Sequence, residues 1–331
     1  MSKLPLTFAC WDYDRMKALE TGAVAPEGID LNMLPLSVEE TFFRQLRNHE
    51  FDACELSLSS YVLTLNEERP PFIAIPVFPS RFFRHQSIFV NRDSGITRPE
   101  DLRGKRVGTP EYQMTAGVWQ RGILADEFGV DVSSVQYVTG ALNPGTGKRE
   151  EKIALSLPPE ISVTPIDDGQ NLSDMLESGE IDAIYTAPAP ASFRTSDQVG
   201  RLFEDFVDVE KDYFRRTGIF PIMHVVAVKR DLVEEHPWVA RSLMKAFDAS
   251  LAKAYDDLRQ ASALKVMLPW LHQHVKDTVE ALGENWWKYG LEPNRHVLET
   301  FLRYSHDQGL ARELRRPEDL FAAGTNEAFR V

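Results

Sequence analysis

The 331-residue chain has little cysteine, no excess of positive charge and no long apolar run. Its two cysteines, Cys10 and Cys54, supply neither a disulfide framework nor the ligand spacing of a zinc site, so we expect reduced thiols packed as small apolar groups. The formal net charge of −13 argues against a nucleic-acid partner, which requires a basic surface. No apolar run approaches the ~18 residues of a membrane span, so we expect no membrane partner.

Targeting and cofactor motifs are also missing from the sequence. No apolar core followed by a small-residue cleavage site opens the chain, and we therefore expect a cytoplasmic protein without a secretory signal. The chain contains no Ser-His-Asp ordering, Walker loop, dinucleotide-binding glycine motif or pyridoxal-type lysine signature. The glycine-rich loop 140–147 lacks the Gly-Lys-Ser/Thr ending of a phosphate-binding loop. We predict no organic cofactor.

The sequence does contain an alternation of apolar strand patterns and helical patterns, which predicts an α/β fold with open, mostly parallel sheets. Leu6–Trp11 and Phe51–Leu56 are typical of buried strands. A helical pattern over 37–48 separates them, and Ser37 with Glu40 fits a capping box at its start. This order of elements indicates a βαβ unit.

The pattern passes to a second α/β unit near residue 92 and returns near residue 224. We therefore predict lobe I at 1–91 with 224–331, and lobe II at 92–223. Two connecting strands then form a hinge, and the ligand site is predicted between the lobes. Four C-terminal helices are predicted, at Pro237–Lys253, Tyr255–Met267, Val275–Trp286 and Arg295–Gln308.

Two arginines and a histidine, Arg81, Arg84 and His85, lie on a predicted turn that leads into a strand. A guanidinium can bind a carboxylate through two hydrogen bonds, so both arginines are candidate binders of a small, multiply anionic ligand. Imidazole changes its charge near neutral pH, which makes His85 a candidate proton donor or acceptor. The alternatives are surface ion pairs for the arginines and a structural role for the histidine.

Two carboxylates are further candidates for acid or base chemistry. Glu55 lies in an otherwise apolar strand, where a buried carboxylate is costly unless it has a partner, so either a catalytic role or a structural salt bridge is expected. Asp12 follows the first strand, at the edge where open α/β sheets place ligands. With His85 and His224, these carboxylates are also a candidate site for a divalent metal, although no ligand spacing requires one.

The predicted second unit offers polar side chains at a helix start. Tyr112, Gln113 and Thr115 precede or begin this helix, whose free N–H groups can bind an anion. An ordinary helix cap is the alternative for these residues. Arg149 lies in a run of charged residues and is either a ligand-binding cation or part of a solvated surface.

Several segments of the chain resemble the 4,5-dihydroxyphthalate decarboxylase family and, more generally, proteins with the type II periplasmic-binding-protein fold. The resemblance extends over nearly the whole chain. The Asp101–Gly108 pattern is common among substrate-binding proteins and supports only the fold, whereas Arg81–His85 and Arg215–His224 are more particular to the decarboxylases. The matching segments are Phe78–His85, Gly104–Thr115, Arg215–His224, Glu292–Arg295 and Tyr304–Gly309.

The resemblance implies a two-lobed carboxy-lyase of phthalate degradation that converts 4,5-dihydroxyphthalate, an aromatic dicarboxylate, to 3,4-dihydroxybenzoate. It also implies that His224 lies at the ligand site, near His85, and that at least one of Arg215, Arg216 and Thr217 faces the ligand. We expect Arg216 and Thr217 to bind substrate. A homo-oligomer is a further expectation from the family.

The implied reaction requires particular groups. Direct loss of carbon dioxide would leave a very unfavourable aryl anion, but protonating the carboxylate-bearing carbon avoids it, because the para oxygen can supply electrons. This route needs an acid, a base and cations for the remaining carboxylate. The alternative from another class is a non-catalytic binding protein for a small organic anion, either a sensor or an uptake component. An enzyme of thiamine-precursor synthesis would favour a loop rich in histidine and cysteine, which the sequence lacks.

Overall fold

A computed structural model describes residues 2–146 and 152–325. The chain divides into two compact units, unit 1 at residues 1–81, 214–298 and 315–331, and unit 2 at residues 82–213 and 299–314. The predicted lobes differ from these units, because residues 82–91 and 299–314 were assigned to lobe I, and 214–223 to lobe II. The strand Ile88–Asn91 explains the first difference, since it pairs inside the sheet of unit 2.

Unit 1 contains a five-stranded sheet in the order β2-β1-β3-β11-β4. Strand β1 pairs in parallel with β2 and β3, whereas β11 runs antiparallel to β3 and β4. Every residue of β3 is buried, as expected for the middle strand of a sheet. The strands of this sheet are β1 Leu4–Cys10, β2 Ile29–Pro35, β3 Ala53–Ser57, β4 Phe72–Ile75 and β11 His224–Lys229.

Unit 2 contains a six-stranded sheet in the order β10-β5-β9-β6-β7-β8. The β9-β6-β7-β8 part is parallel, and β5 joins it through antiparallel pairs with β9 and β10. Parallel pairs therefore slightly outnumber antiparallel ones over both sheets. The strands are β5 Ile88–Asn91, β6 Arg106–Thr109, β7 Gln136–Thr139, β8 Val163–Pro165, β9 Ala183–Tyr185 and β10 Val199–Arg201.

Helices cover the sheets of both units, so the predicted α/β class is confirmed. The predicted cap of α2 is also confirmed, because the Ser37 hydroxyl accepts a hydrogen bond from the Glu40 N–H. The α-helices are α1 Lys17–Glu20, α2 Val38–Asn48, α3 Leu58–Thr64, α4 Thr115–Phe128, α5 Leu172–Ser178, α6 Ser192–Thr195, α7 Phe206–Thr217, α8 Arg230–Glu235, α9 Trp238–Arg259, α10 Leu271–Leu282 and α11 Arg295–Asp307.

The predicted helix Tyr255–Met267 is wrong, because residues 260–270 are not helical, and the next helix runs from Leu271 to Leu282 rather than from Val275 to Trp286. The helix before it also differs from the prediction. Helix α9 runs without interruption from Trp238 to Arg259, so the predicted break after Lys253 is wrong. No proline or glycine interrupts this stretch, and buried residues continue along it as far as Ala254. Within the described ranges, no helix has the length and apolar character needed to cross a membrane.

Candidate active site

The centre of the unit 1 sheet holds a buried carboxylate with three hydrogen-bond donors. Glu55 lies in β3 and is completely shielded from solvent. Its Oε2 accepts the N–H of Trp11 at 3.0 Å, and its Oε1 accepts the Tyr13 hydroxyl at 2.5 Å. The Nδ1 atom of His224 lies 2.5 Å from the same Oε1. These hydrogen bonds offset the free energy of desolvation of the buried carboxylate, which would be large without partners.

Strand register explains why Glu55 and His224 meet although they lie far apart in the sequence. In the antiparallel β3–β11 pair, Glu55 is opposite Val226, and His224 is two residues further along on the same face. Such diagonal neighbours come close enough for long side chains to touch. The His224 side chain is 15% exposed and meets the edge of the Phe42 ring at a centroid distance of 5.0 Å.

The charge of Glu55 follows from these neighbours. Burial alone would raise its pKa, but His224, the Tyr13 hydroxyl and the Trp11 N–H together hold the pKa of Glu55 below its usual value. Because an ionised carboxylate can only accept, Nδ1 of His224 carries the proton between them. Nε2 is then the His224 nitrogen available for proton transfer. Burial, together with the nearby Glu55 charge, raises the pKa of Tyr13, so the phenol stays neutral.

Asp12 lies in the same loop as Tyr13 but takes no part in this contact. Its side chain is 60% exposed, and its carboxylate lies 3.6 Å from the Lys17 ammonium. Over residues 2–146 and 152–325, no three His, Cys, Asp or Glu side chains form a group that could hold a metal ion. The candidate metal set from the sequence is therefore not assembled there, and the cofactor prediction stays a prediction.

Arg81 is buried in unit 1 and bound to the protein itself. Its guanidinium donates to the carbonyls of Phe220 at 3.0 Å and Lys288 at 2.8 Å, and also to the Asn294 side chain. Burial lowers the pKa of Arg81 to about 9. These bonds fix the segment around Arg81, and its predicted contact with a ligand carboxylate stays a prediction.

Arg84 and His85 are buried in unit 2, close to a carboxylate that the sequence analysis missed. Glu210 of α7 accepts hydrogen bonds from the backbone and side chain of Gln86, and its Oε1 lies 4.0 Å from Nδ1 of His85. Burial raises the pKa of Glu210 to about 7 and lowers that of Arg84 to about 10. The His85 ring also contacts the edges of Phe203 and Tyr213.

The other polar residues of unit 2 are packed inside it. Tyr112, Gln113 and Thr115 are all buried, and Thr115 begins α4 as predicted. The Gln113 amide donates to Glu111 at 3.0 Å, and the Lys152 ammonium lies 2.5 Å from the same carboxylate. The ligand contacts predicted for this segment are untested.

The last group of candidates lies at the end of α7, in unit 1. Arg215 and Arg216 are exposed there. The Thr217 hydroxyl accepts the Ile219 N–H at 3.1 Å, which stabilises the turn that follows the helix. Arg149 lies outside the described residues. Of the candidate residues, Glu55 and His224 are thus in direct contact. Arg84 and its neighbour His85 are buried in the same unit, and Asp12 lies beside Lys17 instead.

Comparison with known proteins decides the family. The chain is 42% identical to a 4,5-dihydroxyphthalate decarboxylase of Comamonas testosteroni over 332 aligned residues, which cover all of both chains. It belongs to the 4,5-dihydroxyphthalate decarboxylase family. A decarboxylase of the same name from Pseudomonas putida is 43% identical over 216 residues, covering 65% of this chain and 83% of the relative. The family predicted from the sequence is confirmed.

Solved structures support the fold. The periplasmic aliphatic sulphonate binding protein of Escherichia coli matches with a TM-score of 0.53 at 12% identity, covering 98% of this chain and 99% of the other. A periplasmic sulfonate-binding protein of Methylobacillus flagellatus KT matches with a TM-score of 0.51 at 14% identity, covering 97% and 92%. The family model described as NMT1/THI5 like matches residues 80–144. The predicted periplasmic-binding-protein-like fold is therefore confirmed.

Proposed function

We propose that this protein is a carboxy-lyase that converts 4,5-dihydroxyphthalate to 3,4-dihydroxybenzoate and carbon dioxide. Full-length identity to a decarboxylase of that name supports the substrate. The Glu55–His224 contact, a buried carboxylate 2.5 Å from a partly exposed imidazole, is the observation that carries the chemistry. A carboxylate that fixes one ring nitrogen and leaves the other for proton transfer is a common acid–base arrangement.

The proposed reaction begins with protonation of the ring carbon that bears the leaving carboxylate. Nε2 of His224 donates this proton, while the hydroxyl para to that carbon gives its own proton to water and supplies electrons to the ring. The carbon–carbon bond then breaks, and its electrons restore the aromatic ring as carbon dioxide leaves. The para oxygen regains a proton, and the imidazole takes one from water, so each turnover consumes one proton.

Glu55 has two tasks in this proposal. Its Oε1 accepts the Nδ1 proton of His224, which keeps the ring orientation and tautomer constant through the cycle. Its negative charge also offsets the positive charge of the imidazole when both nitrogens carry protons. The roles predicted for Arg81, Arg84 and His85, the cytoplasmic location and the homo-oligomer stay predictions.

Incubating the purified protein with 4,5-dihydroxyphthalate tests the proposal directly. We expect carbon dioxide and 3,4-dihydroxybenzoate to appear in equal amounts, and His224→Asn to slow the formation of both strongly while ligand binding is retained. Binding without turnover in the unsubstituted protein would contradict the proposal and favour the binding-protein alternative. A parallel assay with a chelator tests the alternative of a divalent metal, under which turnover would stop and return when the metal is added.

A further inference from the structure

One carboxylate oxygen of Glu55 accepts hydrogen bonds from two residues that lie far apart in the sequence. The Tyr13 hydroxyl, from the loop after β1, and Nδ1 of His224, at the start of β11, each lie 2.5 Å from Oε1. The Trp11 N–H occupies the other oxygen, Oε2, at 3.0 Å. The phenol and the imidazole therefore share the same acceptor.

The position of Tyr13 is fixed by contacts other than the one with Glu55. The guanidinium carbon of Arg15 lies 3.9 Å from the centroid of the Tyr13 ring and 4.2 Å from that of Trp287. Nε of Arg15 donates to the Pro79 carbonyl at 2.5 Å, which holds the guanidinium between the two rings. A cation placed over an aromatic face stabilises that ring orientation. The hydroxyl is thus aimed at Glu55 by a stack that does not involve His224.

Sharing an acceptor weakens each bond to it, because the phenol draws negative charge from the oxygen that the imidazole also needs. We propose that Tyr13 is a positioning residue that sets how strongly the Glu55–His224 pair holds its protons, an inference that rests on the proposed function. Tyr13 acts only through Glu55 in this proposal and does not touch the substrate.

Few other titratable groups face this pair. Cys10 of β1 and Cys54 of β3 both interact with Glu55, and burial raises the pKa of each thiol well above its usual value, so both stay neutral. Arg15 acts on the phenol from the loop side. Helix α2 contributes the uncharged Phe42 ring against His224. Among the described residues, the phenol is therefore the group whose removal changes the pair most directly.

The variant Tyr13→Phe removes the hydroxyl and keeps the ring on which Arg15 stacks. Oε1 then has one donor fewer and holds the imidazole proton more strongly. The plot of kcat/KM against pH has two limbs that depend on the Glu55–His224 pair. Both limbs are therefore expected to move to higher pH by about one unit, which corresponds to the free energy of one hydrogen bond to a charged group. The matched control is Tyr304→Phe in unit 2, which removes a hydroxyl that donates to the Asp126 carboxylate at 2.7 Å and should leave the limbs in place.

Proton NMR of the ligand-free protein gives a readout that needs no turnover. The Nδ1–H resonance of His224 is expected to move downfield in Tyr13→Phe and to keep its position in Tyr304→Phe. An unchanged resonance and unchanged limbs in Tyr13→Phe would overturn the role of Tyr13, even if the enzyme is a decarboxylase. A shifted resonance in a protein without turnover would instead support Tyr13 and contradict the proposed function.

Discussion

The two units each place a glutamate beside a histidine, and the two pairs differ in distance and charge. In unit 1, Oε1 of Glu55 lies 2.5 Å from Nδ1 of His224, whose side chain is 15% exposed. In unit 2, Oε1 of Glu210 lies 4.0 Å from Nδ1 of His85, whose side chain is 2% exposed. The first pair has the short contact and the access to solvent that proton exchange requires.

The protonation of the two glutamates shows that burial alone does not decide the charge of a carboxylate. Burial acts to raise the pKa of both, but Glu55 has the imidazole and the phenol in direct contact, and its pKa is lowered. Glu210 accepts hydrogen bonds from the backbone and side-chain amides of Gln86, and burial raises its pKa to about 7. The direct hydrogen bonds from the imidazole and the phenol to Glu55 are therefore what separates the two sites.

Replacing the two histidines in turn is the strongest test of this comparison. His224→Asn removes the proton-transfer group, and we expect kcat/KM to fall by about 10²- to 10⁴-fold. Decarboxylation assays with circular dichroism as a check on folding measure this effect. His236→Asn, at a half-buried position of unit 1 beside Glu235, is the matched control and should retain full activity.

His85→Asn is the variant that could reverse the comparison. If His85 rather than His224 protonates the ring, His85→Asn will lose turnover while binding is retained, and His224→Asn will keep it. That outcome would move the acid–base role to unit 2. A loss in both variants would show that two imidazoles are needed.

Glu55→Gln keeps the size of the side chain and removes its charge. The Nδ1–H of His224 then meets a neutral acceptor, and we expect kcat/KM to fall by about 10- to 100-fold, the value of one hydrogen bond to a charged group. The pH–rate profile should also lose the limb that belongs to Glu55. Activity equal to that of the unsubstituted enzyme would contradict the role of Glu55.

Both residues of the unit 1 pair, Glu55 and His224, were candidates from the sequence, but their contact with each other was not predicted. The strand that contains Glu55 was predicted, the chain was expected to return to the first lobe near residue 224, and Glu55 was expected to need a partner because an apolar strand surrounds it. That partner was expected to be an arginine if the role was structural, and His224 was expected near His85. The diagonal register of β3 and β11 depends on strand order, which periodicity does not reveal.

Residues missed by the sequence analysis lacked a local signal. Tyr13 follows β1 in the same loop as Asp12, but a single tyrosine in a loop carries no pattern. Glu210 lies in α7, a helix that was not predicted, and its partner Gln86 is 124 residues away. The strand β2 and the three-residue strands β8 and β10 were also not predicted, since their pairing in the sheet defines them more than their composition.

Glu210 predicts a pH dependence of stability that Glu55 does not share. Its folded pKa of about 7 lies above its usual value, so its contribution is complete in acid and is lost as pH rises through about 7. We expect the unfolding free energy of the unsubstituted protein to fall by roughly 2 kcal/mol from this group between pH 5 and pH 8. Denaturant titrations at several pH values should show that Glu210→Gln removes this part of the slope.

Glu204→Gln is the control for that experiment. Glu204 is 70% exposed and lies 3.4 Å from Arg92, so its substitution should leave the pH dependence as it was. A slope that survives in Glu210→Gln would show that Glu210 is not the group responsible. For Glu55, whose pKa is lowered, the sign is opposite, and its contribution is lost as pH falls.

The smallest expected effect on activity comes from loosening α2, the helix that contacts the Glu55–His224 pair without containing either residue. Ser37 caps α2, which carries Phe42 against His224, and Asn171 caps α5 in unit 2 through the Asp174 N–H. Replacing either cap with alanine should lower the unfolding free energy by about 1 kcal/mol. Because β3 and β11 set the Glu55–His224 contact, Ser37→Ala should keep kcat/KM within about twofold, and so should Asn171→Ala. A tenfold loss in Ser37→Ala alone would show that α2 also holds the imidazole in place.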